Sequence, residues 1–272
     1  MKTLKDHVIL YDAECPMCKL YTNAFTKTGM LDNNGRASYQ QMPEAVCPYV
    51  DRQRAVNEIA LVNTKTGEVN YGVHSVFKVI ANSFPVFKPL FSFGPFTWLM
   101  RKAYAFVSYN RRVIIPTDIN QATGIQPTFK LRYRIAYLLF TWAVGFILTA
   151  YARLLTGFVP LGNSYREYFI CGGQIIFQGI VISIYAPAKR CAYLGNMMTI
   201  SFAGALLLTP MLIIPHFIHV VPLIYPLYFM AIAGLMFLEH IRRTKLLHLG
   251  WLLTITWVLY RVILLILILK FN

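Results

Sequence analysis

Negative charge is scarce in this chain. Only 11 of its 272 residues are Asp or Glu, against 26 Lys and Arg. Charge of either sign is also thin, at 14% against roughly 25% in an average soluble domain. Apolar residues make up 57%, above the roughly 45–50% of soluble chains. A chain this poor in charge does not suit a purely aqueous life, and the shortage is uneven. Residues 135–272 hold two acidic and nine basic residues, whereas residues 1–134 hold nine and 17.

Cysteine is sparse and odd in number. Cys15, Cys18, Cys47, Cys171 and Cys191 do not make a secreted disulfide framework. The N-terminus also lacks a signal-peptide core. Lys2, Lys5 and Asp6 are followed by only Val8-Ile9-Leu10-Tyr11, and a signal needs roughly 7–15 apolar residues. The first domain is therefore expected on the synthesis side of a membrane. The excess of positive charge sits in short clusters beside apolar runs. That placement favours topology signals and lipid headgroups over nucleic acid as the partner.

Five apolar segments follow Arg134, near residues 135–158, 168–186, 191–214, 217–238 and 247–269. Each approaches the ~20 residues that cross a bilayer core. The fourth carries Pro222 and Pro226, so a kink or a broken segment is the alternative to five full spans. Basic residues alternate in place. Lys130, Arg132 and Arg134 precede the first span, Lys189 and Arg190 follow the second, and Arg242, Arg243 and Lys245 follow the fourth. The other two connections hold little positive charge. This asymmetry predicts the N-terminal domain on the cytoplasmic side and Asn272 outside, and a bacterial inner membrane is the expected location.

Several polar residues fall inside these segments. Arg261 is a candidate contact for a headgroup, a quinone or an anionic substrate, or else an arginine that snorkels or bonds to a neighbouring helix. Glu239 is expected to pair with Arg242 or Arg243. His216 and His219 are candidates for metal or proton chemistry, or for interfacial packing. Gly172, Gly173 and Gly179 suggest close helix approach. Cys171 and Cys191 are expected at opposite ends of consecutive spans, about 30 Å apart, too far to form a disulfide.

In the first half, residues 7–12 read as a short buried strand that runs into Ala13-Glu14-Cys15-Pro16-Met17-Cys18. Cys18, Tyr21 and Phe25 then recur at helical spacing. Pro16 suits a first helical turn, where its missing N–H costs nothing. Cys15 is thus expected just ahead of a helix. A thiolate there is favoured by the unpaired N–H groups of the first turn, so Cys15 is the expected attacking thiol and Cys18 the resolving one. This chemistry requires Cys15 to be reachable from solvent. Asp12 and Glu14 oppose the thiolate by their charge. Two roles are open to Asp12, a proton acceptor for a thiol or a cap for backbone N–H groups.

The string Tyr11-Asp12-Ala13-Glu14-Cys15-Pro16-Met17-Cys18 resembles the Asp-x-x-Cys-x-x-Cys signature of the DCC family of thiol–disulfide oxidoreductases. Two further stretches are similar to that family. One is the Gly-x-x-Ser segment from Gly72. The other is the ending Tyr104-Ala105-Phe106-Val107-Ser108-Tyr109-Asn110-Arg111-Arg112. The resemblance covers roughly residues 7–115 and implies a thioredoxin-like fold with a redox-active dithiol. Ala13 stands where the family often has Gly.

The expected fold is therefore an α/β thioredoxin-like domain over 1–115, a linker over 116–134 and an all-α transmembrane bundle of about five spans over 135–272. Within the first domain we expect strands at Ala37–Met42, Glu58–Asn63 and Glu68–Tyr71, a helix or loop over Pro43–Asn57, and a helix over His74–Asn82. An amphipathic helix near 95–109 is expected on a membrane surface or beneath the redox domain. Thioredoxins place a cis-proline before the third strand; Asn57 and Glu58 stand there in this chain. Arg111 and Arg112 are candidates to approach the thiolate or a phosphate.

The expected activity is dithiol–disulfide exchange through Cys15 and Cys18, with Asp12 assisting and an unidentified protein or small-molecule thiol as partner. No metal or cofactor beyond the dithiol is required, although a quinone suits the membrane half. Two alternatives stand. The membrane half is a transporter or a lipid- or quinone-handling protein under redox control. Or the CxxC is a metal half-site completed by Cys47, His7 or His74.

Overall fold

The computed structural model describes residues 1–42, 47–116 and 127–271. The chain divides into two compact units, Met1–Tyr133 and Arg134–Asn272.

The first unit is built on a four-stranded mixed sheet in the order β2-β1-β3-β4. Strand β1 (His7–Tyr11) pairs in parallel with β2 (Arg36–Ser38), and helix α1 (Pro16–Lys27) makes the crossover between them. Helix α2 (Arg52–Asn57) precedes β3 (Ala60–Asn63), which runs antiparallel to β1 and to β4 (Val69–Tyr71). The hairpin follows from Asn63-Thr64-Lys65-Thr66-Gly67. Asn63 Oδ1 accepts the Lys65 and Thr66 N–H groups, and Gly67 takes a positive φ of 73°.

Side chains on a strand alternate between faces, so the two central strands, β1 and β3, feed two cores. Ile9 and Leu61 pack with Phe25, Leu31 and Val79 on one face of the sheet. Leu10, Ala60 and Val62 pack with Val50 and Ala55 on the other. The register Ile9↔Leu61 and Leu10↔Ala60 keeps both sets aligned. A slip of one residue would send every one of them to the wrong side.

Two expectations are corrected in this unit. The second strand stops at Ser38 rather than running to Met42. Ser38 Oγ accepts the Gln41 N–H and starts a 3-10 turn over Tyr39–Gln41. The amphipathic helix is also longer than 95–109. After α3 (Val73–Ser83) and α4 (Lys88–Ser92), α5 runs from Gly94 to Ile114 and buries Asn110, Arg111 and Val113 in its last turns. The side chain of Cys47 lies outside the described residues.

The second unit supplies the membrane part. Five segments are long and apolar enough to cross a bilayer: Leu131–Leu155, Arg166–Tyr185, Pro187–His216, Ile224–Leu246 and Leu252–Lys270. The chain is an integral membrane protein. The first segment is two helices, α6 (Leu131–Ala143) and α7 (Phe146–Ala152), which meet at Val144-Gly145. The others are α8 (Arg166–Tyr185), α9 (Arg190–Ile213), α10 (Ile224–Leu246) and α11 (Leu252–Phe271). The fourth span starts at Ile224, later than expected. Pro222 therefore falls in the connection, and Pro226 in the first turn of α10, where a proline is tolerated.

Several polar residues at depth are paired. Arg261 Nε donates to the Gln174 side-chain oxygen at 2.7 Å, so its partner is a neighbouring amide rather than a backbone carbonyl. Glu239 accepts from both Arg242 and Arg243. Tyr193 donates to Gln178 at 2.9 Å, and its hydroxyl also lies 3.2 Å from His240 Nε2. His240 Nδ1 lies 3.0 Å from the Thr254 hydroxyl. A side chain at Gly173 would overlap the Tyr260 hydroxyl, which donates to the Ile170 carbonyl. Cys171 and Cys191 are both free thiols.

Candidate functional site

The Asp12–Cys18 segment turns from the end of β1 into α1. Cys15 is the N-cap of the helix, with extended backbone (φ −99°, ψ 109°), and Pro16 is its first residue. Cys15 Sγ accepts the backbone N–H of Cys18 at 3.4 Å, which takes up one of the donors a helix start leaves unpaired. The Cys18 thiol also hydrogen-bonds to Cys15.

These contacts separate the two thiols. The hydrogen bond from the Cys18 thiol is the largest influence on Cys15. With the Cys18 backbone N–H and the charge of Arg111, it lowers the Cys15 pKa from 9.0 to about 6. Burial and the charge of Asp12 work the other way. Cys18 is pushed far up by the same hydrogen bond, by burial and by the nearby Cys15. The arrangement favours the thiolate at Cys15 and the protonated thiol at Cys18.

Both sulfurs are covered more than the sequence implied. Cys15 is 6% exposed and Cys18 5%. The expectation that Cys15 is reachable from solvent is corrected: both sulfurs are buried, so exchange with a partner requires a local movement that uncovers Cys15 Sγ.

Arg111 arrives from the last turns of α5. Its Nη2 donates to Asp12 Oδ2 at 2.6 Å and to the Val56 carbonyl at 2.8 Å. Nη1 lies 3.4 Å from the Asn57 carbonyl. Burial lowers the guanidinium pKa, but the two thiols and Asp12 more than offset it, and the net direction is upward. Asp12 Oδ1 accepts the Glu14 N–H and Gln40 Nε2, both at 3.0 Å. Gln40 Oε1 in turn accepts the Ala13 N–H at 3.1 Å, so one side chain holds two points of the loop. Arg112 lies on the rim, 3.3 Å from Glu14 Oε2.

The three sequence stretches converge on this place. Tyr104 accepts the Ile59 N–H at 3.1 Å, and Ser108 donates to the Asn57 carbonyl at 2.5 Å. Together with Arg111 they fix the 56–59 turn where thioredoxins carry their cis-proline. Gly72 has φ +61° and donates its N–H to the Ile59 carbonyl at 2.8 Å. Ser75 donates to the Asn70 carbonyl at 2.6 Å. The Gly-x-x-Ser segment thus ties α3 to the hairpin edge.

Residues 9–115 match the family model described as DCC1-like thiol-disulfide oxidoreductase. No curated protein and no solved structure matches the chain.

Sequence reading missed Gln40 as a partner of Asp12, because it ran the second strand on to Met42 instead of ending it at Ser38. It also missed Tyr21, whose hydroxyl hydrogen-bonds with Cys18 and whose pKa is driven upward chiefly by burial. Tyr21 stands three residues after Cys18 on α1, a spacing that was visible but read only as core packing. Among the described residues no group of three or more His, Cys, Asp or Glu side chains is placed to hold a metal. His7 Nδ1 lies 2.7 Å from the Lys5 carbonyl, and His74 stands on α3.

Proposed function

We propose that the DCC1-like domain carries out dithiol–disulfide exchange through Cys15 and Cys18, tethered to a bilayer by the five spans. The cytoplasm is the compartment that the basic connections favour for this domain, with Asn272 on the far side. The observation that carries the reading is geometric: Cys15 caps α1 and accepts the Cys18 N–H at 3.4 Å, with Cys18 one turn on, an arrangement that lowers the Cys15 pKa and raises that of Cys18.

The chemistry follows from that pairing. The Cys15 thiolate attacks one sulfur of a partner disulfide. The partner's S–S bond breaks, a Cys15 mixed disulfide forms, and the other partner sulfur leaves as a thiolate that takes up a proton. Cys18 then loses its proton and attacks Cys15 Sγ. The second partner sulfur leaves, the Cys15–Cys18 disulfide forms, and two electrons have passed to the partner. Run backwards, the same steps oxidise a partner dithiol.

Asp12 is the carboxylate whose charge acts on both thiols, which suits it to receive the Cys18 proton in the second step. Arg111 is a positioning residue. It holds Asp12 and the 56–57 carbonyls, and its charge steadies the thiolate.

The test uses full-length protein and hydroxyethyl disulfide, a probe small enough for a covered sulfur. With the wild type, peptide mapping should find Cys15–Cys18 linked internally. With Cys18→Ala, it should find a stable hydroxyethylthio adduct on Cys15. An unmodified Cys15 in the Cys18→Ala protein would overturn the proposal.

A further inference from the structure

A basic cavity lies in the first unit, apart from the dithiol chemistry. It encloses about 380 Å³ between α2, α3 and α5. Arg54, His74, Arg101 and Lys102 line it, with Glu58 as the one carboxylate. Glu58 lies 3.9 Å from Arg54, so the arginine charge is only partly answered. Arg54 also sits over the Tyr71 ring at 4.1 Å, which holds its head in place. Three permanent cations and a histidine around one acid make a cavity for an anion.

Two observations say where that anion comes from. The first is the surface beside the cavity. Phe93, Trp98 and Leu99, at the start of α5, are 58%, 58% and 57% exposed. The Lys102 ammonium lies 5.8 Å from the Trp98 ring centre. Exposed Trp and Leu with lysine and arginine one turn away are the composition of a helix that lies in a membrane interface. The second is Tyr133, which also lines the cavity. Tyr133 is the third residue of the first membrane-crossing segment, Leu131–Leu155, and Lys130 and Arg132 flank it. Aromatic and basic residues at the start of a span sit at headgroup level.

We infer that this cavity binds the phosphate of an anionic phospholipid headgroup, with Arg101 and Lys102 as its main contacts and Trp98 and Leu99 seated among the acyl chains. A soluble phosphate compound has the same charge but no tail. It would make no use of the apolar strip beside the cavity, whereas a phospholipid uses both.

Native mass spectrometry of the full-length protein tests this, with phosphatidylglycerol and phosphatidylcholine added in equal amounts. The wild type should retain phosphatidylglycerol in clear preference. Arg101→Gln/Lys102→Gln should reduce that preference by about tenfold, since each surface charge contributes on the order of a fewfold in binding. Lys65→Gln, which removes a cation from the β3–β4 turn, should leave it unchanged. Trp98→Ser should weaken binding of both lipids. Equal retention of the two lipids by the wild type, or an undiminished preference in the double variant, overturns the inference. Displacement of phosphatidylglycerol by an equal concentration of glycerol phosphate would also overturn it, by assigning the cavity to a soluble anion.

Discussion

Arg111 Nη2 donates to Asp12 Oδ2 at 2.6 Å, and both side chains are buried beside the dithiol. This contact joins the first strand to the last turns of α5 across nearly the whole domain. It sets the field in which Cys15 ionises, because Arg111 favours the thiolate and Asp12 opposes it.

Breaking the pair from one side is therefore costly. Arg111→Met leaves Asp12 buried without its cation, a change worth about 3–5 kcal/mol when a buried ion pair loses one partner. It should lower the midpoint of thermal unfolding and raise the Cys15 pKa. Asp12→Asn combined with Arg111→Met should recover part of the lost stability, since the stranded charge is gone. Scanning fluorimetry of the three proteins checks this, and an unchanged midpoint in Arg111→Met would sink the account of the pair.

The thiolate gives a pH signature with a definite sign. Cys15 moves from 9.0 in an unstructured chain to about 6 in the fold. A lowered pKa contributes stability that is complete above about 9 and disappears as the pH falls through about 6. The reduced protein should thus gain stability between those values relative to its disulfide form. Alkylation of Cys15 by iodoacetamide should rise with pH to half its maximum near 6. In Cys18→Ala the midpoint should shift upward, because the donating thiol is gone. A wild-type midpoint near 9 would contradict the geometry.

Gly72 is the third test. Its φ of +61° with ψ −134° belongs to glycine, and a Cβ there would stand 2.8 Å from Glu58 Oε2. Gly72→Ala should destabilise the domain by about 1–3 kcal/mol. The reduced Cys15 alkylation profile should stay near its wild-type midpoint, because Gly72 does not touch the sulfurs. Thermal unfolding of the variant gives the first quantity and alkylation the second. An unaltered unfolding midpoint would show that the turn relaxes freely.

Local signals in the sequence carried much of this structure. The N-cap position of Cys15 was legible because a strand, a turn and Pro16 follow within ten residues. The β3–β4 hairpin was legible from Thr64-Lys65-Thr66-Gly67, and the spans from runs of about 20 apolar residues. What escaped was set by contacts between distant residues. Arg111 stands 99 positions from Asp12, and nothing local chooses it over Arg112. Gln40 reaches Asp12 only because Ser38 ends the strand early. The burial of Cys15 was not legible because it depends on packing from outside the local turn. In the membrane unit, Gln178, Tyr193 and His240 meet from three helices. A segment that is apolar all round has no polar stripe to reveal such a meeting.

The cap also bears on which way electrons prefer to move. A sulfur that starts a helix as a thiolate is stabilised only while the dithiol is reduced; in the disulfide that charge is absent. Each step by which the fold lowers the Cys15 pKa therefore makes the closed pair easier to open. If the proposed exchange holds, the disulfide form would be easier to reduce than that of an unassisted Cys-x-x-Cys pair.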